Sequence, residues 1–175
     1  MDYNSRVNLT AITERDAVFA LHFDDSRAVA NEFLGGKSVV DVGSGAGFPG
    51  LVIAIERPDL RVTLLEGRGK RCGFLRLVVG ELGLENVVVE NGRAEEWKGE
   101  KFDYAVARAV ARLPKLMKFC VPLVKSGGEF WAWKTTEDEI LEADREVKKF
   151  GLTFLGGVDY VVGGAKRVVL RFLRG

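Results

Sequence analysis

The sequence predicts an α/β fold of the Rossmann-like type, in which a mostly parallel β-sheet ends in an antiparallel hairpin. Short apolar runs rich in β-branched residues alternate with segments of helical periodicity along most of the chain. Strands that alternate with helices form a parallel sheet with right-handed crossovers, covered by helices on both faces. At 175 residues the chain fits a single domain. We expect a helical cap over 1–35 and the ligand-binding core over 36–175.

The predicted elements follow one another in a regular order. Five apolar runs are predicted strands, at 38–42, 61–65, 86–90, 102–107 and 128–134. Helices are predicted at 16–33, 48–56, 70–82 and 112–121, with a short helical turn at 94–97. Thr136 and Glu139 fit a capping box that opens a further helix ending near Phe150. The last two runs, 152–162 and 166–173, are separated only by Gly163-Gly164, which indicates a hairpin.

Composition limits the classes of protein that the chain can belong to. Lys and Arg total 26 and Asp and Glu total 25, so an RNA-binding surface would have to be a local basic patch. Cys72 and Cys120 cannot form a disulfide framework, and we expect reduced thiols. The first residues lack a signal-peptide pattern, and no apolar run approaches the ~20 residues of a membrane span. We therefore expect a cytoplasmic protein with no membrane partner, and no metal, because no cluster of metal ligands is evident.

A glycine-rich segment, Asp-Val-Gly-Ser-Gly-Ala-Gly at 41–47, follows the first predicted strand. Glycines let the backbone approach a ligand closely because no Cβ intervenes. The stretch 45–50 matches the dinucleotide pattern GxGxxG, which should begin where the strand ends. If the GxGxxG pattern is started at Gly43, where the strand ends, its third glycine position falls on Phe48. Pro49 also lacks the backbone N–H that a phosphate at this helix start would use. The dinucleotide register therefore fits poorly.

The register led by Asp41 accounts for the same residues better. S-adenosylmethionine carries no phosphate, and its amino-acid end bears an ammonium group that an acid leading the loop can attract. Gly43, Gly45 and Gly47 would line the nucleoside and methionine parts of this cofactor. Glu66, at the end of the second predicted strand, can accept hydrogen bonds from ribose hydroxyls in either cofactor class. A terminal hairpin is unusual for dehydrogenases and typical of class I methyltransferases, so the sequence predicts the class I S-adenosylmethionine-dependent methyltransferase fold.

Several further segments resemble the bacterial 16S ribosomal RNA guanine-N7 methyltransferases, the GidB or RsmG family. Gly-Phe-Pro-Gly at 47–50, Gly-Lys-Arg at 69–71 and Arg-Ala-Val-Ala at 108–111 are the most specific of them. Asn-Leu-Thr-Ala-Ile at 8–12, Glu-Leu-Gly-Leu-Glu-Asn-Val at 81–87, Gly-Arg-Ala-Glu-Glu at 92–96 and Ala-Trp-Lys at 132–134 also match, in the same order. The resemblance covers residues 8 to about 135.

The resemblance implies an activity and a set of site residues. It implies methyl transfer from S-adenosylmethionine to guanine N7 of 16S ribosomal RNA in the 30S subunit, with S-adenosylhomocysteine as product. It further implies that Gly43 and Phe48 touch the cofactor, that Ala94 and Glu95 flank its adenine, and that Arg108 lies beside it. The residues implied to face RNA are Lys70, Arg71 and Lys134.

The chemistry that this reaction needs agrees with the residues present. Guanine N7 carries a lone pair at neutral pH, so the protein must position the reactants and needs no general base. The single histidine, His22, and the tryptophans Trp131 and Trp133 are interpreted as packing residues. One predicted helical face carries four basic residues: Arg108, Arg112, Lys115 and Lys118. This face either contacts RNA or is simply exposed to solvent. The alternatives are a methyltransferase for another RNA or a small molecule, a nicotinamide-dependent oxidoreductase, and a non-catalytic RNA-binding domain.

Overall fold

The structure, a computed structural model, describes residues 19–108, 111–134 and 143–175. A seven-stranded sheet runs through it, with the strands in the order β3-β2-β1-β4-β5-β7-β6. The strands are β1 (Ser38–Val42), β2 (Arg61–Glu66), β3 (Val87–Asn91), β4 (Phe102–Arg108), β5 (Val124–Lys134), β6 (Leu152–Val162) and β7 (Ala165–Arg174). The first five pair in parallel, whereas β7 is antiparallel to both β5 and β6. The predicted parallel sheet and terminal hairpin are confirmed.

Short helices connect the strands. The α-helices are α1 (Asp25–Arg27), α2 (Gly50–Glu56), α3 (Gly69–Glu81), α4 (Leu113–Cys120) and α5 (Asp144–Lys149). A π-helical turn covers Phe19–Asp24, and 3-10 turns cover Ala30–Glu32, Ala94–Glu96 and Val121–Leu123. The predicted segments 8–12 and 109–110, and the capping box at Thr136 and Glu139, lie outside the described residues.

The predicted continuous helix at 16–33 is wrong over the part that the structure describes. The helical path stops at Val29, whose backbone has φ −121° and ψ 10°. The chain turns there to bury both Val29 and Phe33 in the core. The Arg57 guanidinium then donates to the carbonyls of Ala30 and Phe33, at 3.2 and 2.7 Å. Since a distant arginine satisfies these acceptors, the backbone does not need helical hydrogen bonds there.

Two other predicted boundaries shift by two residues or more. Helix α2 begins at Gly50, two residues after its predicted start, because Phe48 and Pro49 belong to the turn that leads into it. Strand β5 begins at Val124, four residues early, and its pairing with β4 is irregular between Phe102 and Tyr104. Both shifts lie where a turn and an element meet, which local periodicity locates poorly.

The core lies on both faces of the sheet. Val39 belongs to one apolar cluster and Val40 to the other, as expected of neighbours on a strand. Trp131 and Trp133 are both buried, which confirms that they pack in the core. Phe33 stacks on Trp131 with ring centroids 4.3 Å apart, so the described end of the predicted cap packs in the same core. Within the described ranges, no helix has the length and apolar character that crossing a membrane would require.

Candidate active site

A cleft of about 380 Å³ opens at the carboxyl ends of β1, β2 and β3. In open α/β sheets ligands bind at this edge, where the loops and helix starts converge. Leu65, Ala94 and Phe119 give the cleft apolar surface, and Glu66 gives it a carboxylate. Its remaining lining residues are Val42, Gly43, Gly67, Arg68, Gly92, Arg93, Glu95, Ala111 and Lys115.

The glycine-rich loop borders the cleft at Gly43, the one loop glycine that lines it in the described part of the chain. Gly43, Gly45 and Gly47 have φ of 75°, 57° and 97°, in the left-handed region that favours glycine. A hydrogen bond of 2.8 Å from the Gly43 N–H to the Leu65 carbonyl joins the loop to β2. A Cβ at Gly47 would collide with the side chain of Leu51. The loop can therefore keep this path only with glycine at these positions.

Asp41 lies beneath the loop as a fully buried acid. One carboxylate oxygen, Oδ2, accepts a hydrogen bond of 2.9 Å from the Gly50 N–H at the start of α2. The other, Oδ1, has no hydrogen-bond partner in the part of the chain that the structure describes. Burial raises the pKa of Asp41 from its ordinary value of 3.8 to about 7, against the opposing effects of the Gly50 hydrogen bond and the Arg108 charge. A Cβ at Gly50 would lie 2.7 Å from Oδ2, so glycine lets the acid approach this closely.

Glu66 stands at the boundary between the loop and the cleft. Its Oε2 accepts from the Gly45 N–H at 3.0 Å, and its Oε1 accepts from the Arg68 N–H at 2.9 Å. The Asn91 side-chain amide donates to the Glu66 carbonyl at 3.0 Å, which fixes the backbone of this residue. A carboxylate has about four acceptor sites, so two backbone donors leave capacity for hydroxyl groups of a ligand.

Phe48 and Arg108 lie on the other side of the loop. The Arg108 guanidinium is 5.3 Å from the centre of the Phe48 ring, and His22 stacks on the same ring at 4.9 Å. Arg108 also forms a buried ion pair with Asp25, with a distance of 2.9 Å between Nη1 and Oδ2. Sequence reasoning placed Arg108 beside the cofactor and missed Asp25, because the two residues are 83 positions apart.

Basic side chains surround the mouth of the cleft. Arg68 and Arg93 line it, and Lys70 is exposed in the first turn of α3, next to the half-buried Arg71. Lys134, at the end of β5, donates to the Ala111 carbonyl at 2.9 Å.

The predicted helical face from Arg108 to Lys118 is wrong at its start, because Arg108 ends β4 and the extended Arg112 precedes α4; only Lys115 and Lys118 lie on the helix. Lys115 lines the cleft, Arg112 is exposed, and Lys118 pairs with Glu146 at 3.2 Å. Of these four basic residues, Lys115 is the one that lines the cleft, and an RNA contact by any of them stays a prediction.

The structure brings the predicted cofactor residues together around one loop. Gly43, Glu66, Ala94 and Glu95 line the cleft itself. Gly45 and Gly47 belong to the loop, and Gly45 donates to Glu66. Asp41 lies beneath the loop, and Phe48 and Arg108 lie at its side. Their contact with a cofactor stays a prediction. The cleft residues that sequence reasoning missed include Phe119 and Arg68, which no local motif marks.

The strand order, the hairpin and the glycine loop define the class: this is the class I methyltransferase fold. Solved structures with this fold include a precorrin-6y C5,15-methyltransferase from Geobacter metallireducens, with a TM-score of 0.62 at 16% identity over 94% of this chain and 90% of that one. A SAM-dependent O-methyltransferase from Thermotoga maritima has a TM-score of 0.66 at 15% identity over 99% and 71% of the two chains.

The family is more specific than the fold. The chain belongs to the GidB family, rRNA small subunit methyltransferase G, whose family model matches residues 1–157. A ribosomal RNA small subunit methyltransferase G from Clostridium botulinum (strain Loch Maree / Type A3) is 42% identical over 159 residues. That match covers 86% of this chain and 66% of the relative, so the chain spans just under two thirds of the relative's length. The resemblance stated from the sequence motifs is confirmed.

Proposed function

We propose that the chain transfers a methyl group from S-adenosylmethionine to guanine N7 of 16S ribosomal RNA, and that it acts in the cytoplasm on the 30S subunit. The observation that carries the proposal is that Glu66 lines the cleft together with Gly43 and also accepts a hydrogen bond from the Gly45 N–H of the same glycine loop. Membership of a family of small-subunit ribosomal RNA methyltransferases supports the RNA substrate.

The residues of the cleft fit the cofactor. Leu65, Ala94 and Phe119 offer the apolar surface that an adenine ring needs, and the Glu66 carboxylate can accept the ribose hydroxyls. The Oδ1 oxygen of Asp41 is buried without a hydrogen-bond partner among the described residues. A buried acid of this kind is stabilised in its charged form by a nearby cation, which the ammonium group of the cofactor would provide.

The chain's own part in the reaction is to position the reactants. When bound, S-adenosylmethionine supplies an electrophilic methyl group on its sulfonium. Guanine N7 can attack it directly, so no residue has to remove a proton. The loop, Glu66 and Asp41 would hold the donor in line with N7, and positioning of this kind contributes roughly 7–11 kcal/mol to catalysis.

Basic side chains at the mouth of the cleft would orient the RNA. Lys70 and Arg71 open α3 and Lys134 ends β5, so all three belong to the carboxyl edge of the sheet, where the cleft opens. Contacts from lysine and arginine to phosphates position a nucleic acid without selecting its bases. We propose that these three residues contact the RNA backbone around the target guanine.

Transfer of a labelled methyl group tests the proposal. The chain is incubated with labelled S-adenosylmethionine and with 30S particles from cells that lack the modification, with transfer RNA and small molecules as parallel acceptors. We expect label only in the 30S particles. Label confined to transfer RNA or to a small molecule would support the alternative methyltransferase functions. Tight binding of NAD without binding of S-adenosylmethionine would refute the cofactor assignment.

A further inference from the structure

Asp25 connects three strands of the sheet at the side of the glycine loop. Its side chain is buried, with Oδ2 accepting from the Arg108 guanidinium at 2.9 Å and Oδ1 accepting from the Tyr160 hydroxyl at 2.7 Å. Its backbone carbonyl accepts from the Trp133 indole N–H at 3.1 Å. Donors from β4, β5 and β6 thus meet at one residue of the N-terminal segment.

Arg108 is fixed by this residue and by its neighbours. Nη1 donates to Asp25, Nη2 lies 2.8 Å from His22 Nδ1, and the guanidinium lies over the Phe48 ring. The planar guanidinium keeps its donors in one plane, so contacts at two edges and one face determine its orientation. Phe48 also meets Phe23 edge to face at 5.0 Å. The end of the glycine loop is therefore packed against the group that Asp25 orients.

The Tyr160 hydroxyl has a separate part in this arrangement. Burial, together with its hydrogen bond to Asp25, raises the pKa of Tyr160, so the hydroxyl stays a neutral donor. Arg108 pairs with Oδ2 of Asp25, and the Arg167 Nε lies 4.0 Å from Oδ1, the oxygen that accepts from Tyr160. The hydrogen bond from Tyr160, at 2.7 Å, is the shorter of these two contacts to Oδ1 and helps to fix the direction in which Oδ2 faces Arg108. A residue of the hairpin thus acts on the loop through two intermediates, Asp25 and Arg108.

We propose that Asp25 and Tyr160 are positioning residues that hold the Arg108 guanidinium against Phe48 in the geometry that methyl transfer requires. The proposal rests on the proposed function, since it assigns roles in that reaction. Neither residue lines the cleft, and neither do Arg108 and Phe48; their effect passes through the end of the glycine loop, so we expect cofactor affinity to change less than the rate. Misplacement of a reacting group by about 1 Å can lower a rate about 100-fold. The loss of either residue is therefore expected to lower the rate of transfer more than the binding of cofactor.

Two variants test the proposal, with a matched control. Tyr160→Phe removes one hydroxyl, and Asp25→Asn removes the charge that orients Arg108. Tyr104→Phe removes the hydroxyl of a second tyrosine, which accepts from the Leu34 N–H at 3.3 Å, below the amino end of β1. We expect kcat to fall roughly 10-fold in Tyr160→Phe and up to about 100-fold in Asp25→Asn. The dissociation constant of S-adenosylmethionine, measured by calorimetry, should stay within about threefold, and Tyr104→Phe should keep its kcat.

A spectroscopic measurement separates this proposal from the proposed function. In the wild-type chain the Arg108 guanidinium protons should exchange slowly with water in nitrogen-15 NMR spectra, and they should exchange faster in Tyr160→Phe. Unchanged exchange, unchanged kcat, or a loss of cofactor affinity that parallels the loss of kcat would overturn the positioning role. A wild-type chain that methylates no 30S particles would refute the proposed function, and the exchange measurement would still show whether Tyr160 orders Arg108.

Discussion

Replacing Asp41 with asparagine should change how the stability of the protein depends on pH. Asparagine resembles the protonated acid in shape, and its amide oxygen can accept the Gly50 N–H as Oδ2 does. It cannot ionise. The variant therefore removes one titration and keeps the hydrogen bond that supports the start of α2.

The magnitude follows from the raised pKa of Asp41, which moves from 3.8 to about 7 on folding. Between these values the folded state binds a proton that the unfolded state has released, so the free energy of unfolding decreases as pH rises. The contribution is fully present below pH 3.8 and is lost as pH rises through about 7. Each pKa unit is worth about 1.4 kcal/mol, so the total loss is about 4 kcal/mol, of which about 2 kcal/mol falls between pH 5.5 and 8.

Thermal unfolding of the two proteins at several pH values measures this effect. The Tm of Asp41→Asn minus the Tm of wild type should increase by roughly 4–8 °C between pH 5.5 and pH 8. All other titrating groups are common to both proteins and cancel in the difference. A difference that stays constant with pH would refute the raised pKa. Saturating S-adenosylmethionine should reduce the pH dependence in wild type alone, because a cation near Asp41 favours the charged form.

Three further variants test the site. Glu66→Gln places an amide N–H₂ against the backbone N–H donors of Gly45 and Arg68. It should weaken S-adenosylmethionine binding, measured by calorimetry, roughly 10- to 100-fold. An unchanged affinity would contradict the role of Glu66 as acceptor for the ribose hydroxyls. Gly47→Ala puts a Cβ against Leu51 at φ 97°, so it should lower both Tm and cofactor affinity, and normal values of both would show that the loop can take another path. Lys134→Ala should slow methylation of 30S particles and leave the cofactor affinity measured by calorimetry intact. Equal losses of methylation rate and cofactor affinity would contradict an RNA contact by Lys134.

The sequence predicts the sheet well because the information for it is local. Runs such as β1 and β2 have the length and composition of buried parallel strands, and the glycine loop follows the first of them directly. The terminal hairpin is likewise marked by two neighbouring glycines. These features need no knowledge of distant parts of the chain.

Features that depend on distant partners could not be predicted. The break in the N-terminal helix depends on Arg57, which binds the carbonyl of Phe33 from 24 residues away. The hydrogen bond between Asp25 and Tyr160 joins residues 135 positions apart. Asp25 therefore looks like an ordinary surface acid in the sequence, and only the assembled sheet shows that it is buried and holds three donors.

The atom that receives the methyl group is the most direct test of the account. After reaction with unmodified 30S particles, the 16S ribosomal RNA is digested to nucleosides and analysed by mass spectrometry. If the reaction depends on positioning alone, as we propose, the product is 7-methylguanosine, formed on the N7 lone pair. Methyl groups on an exocyclic amine, on a ribose hydroxyl or on no nucleoside at all would contradict the account.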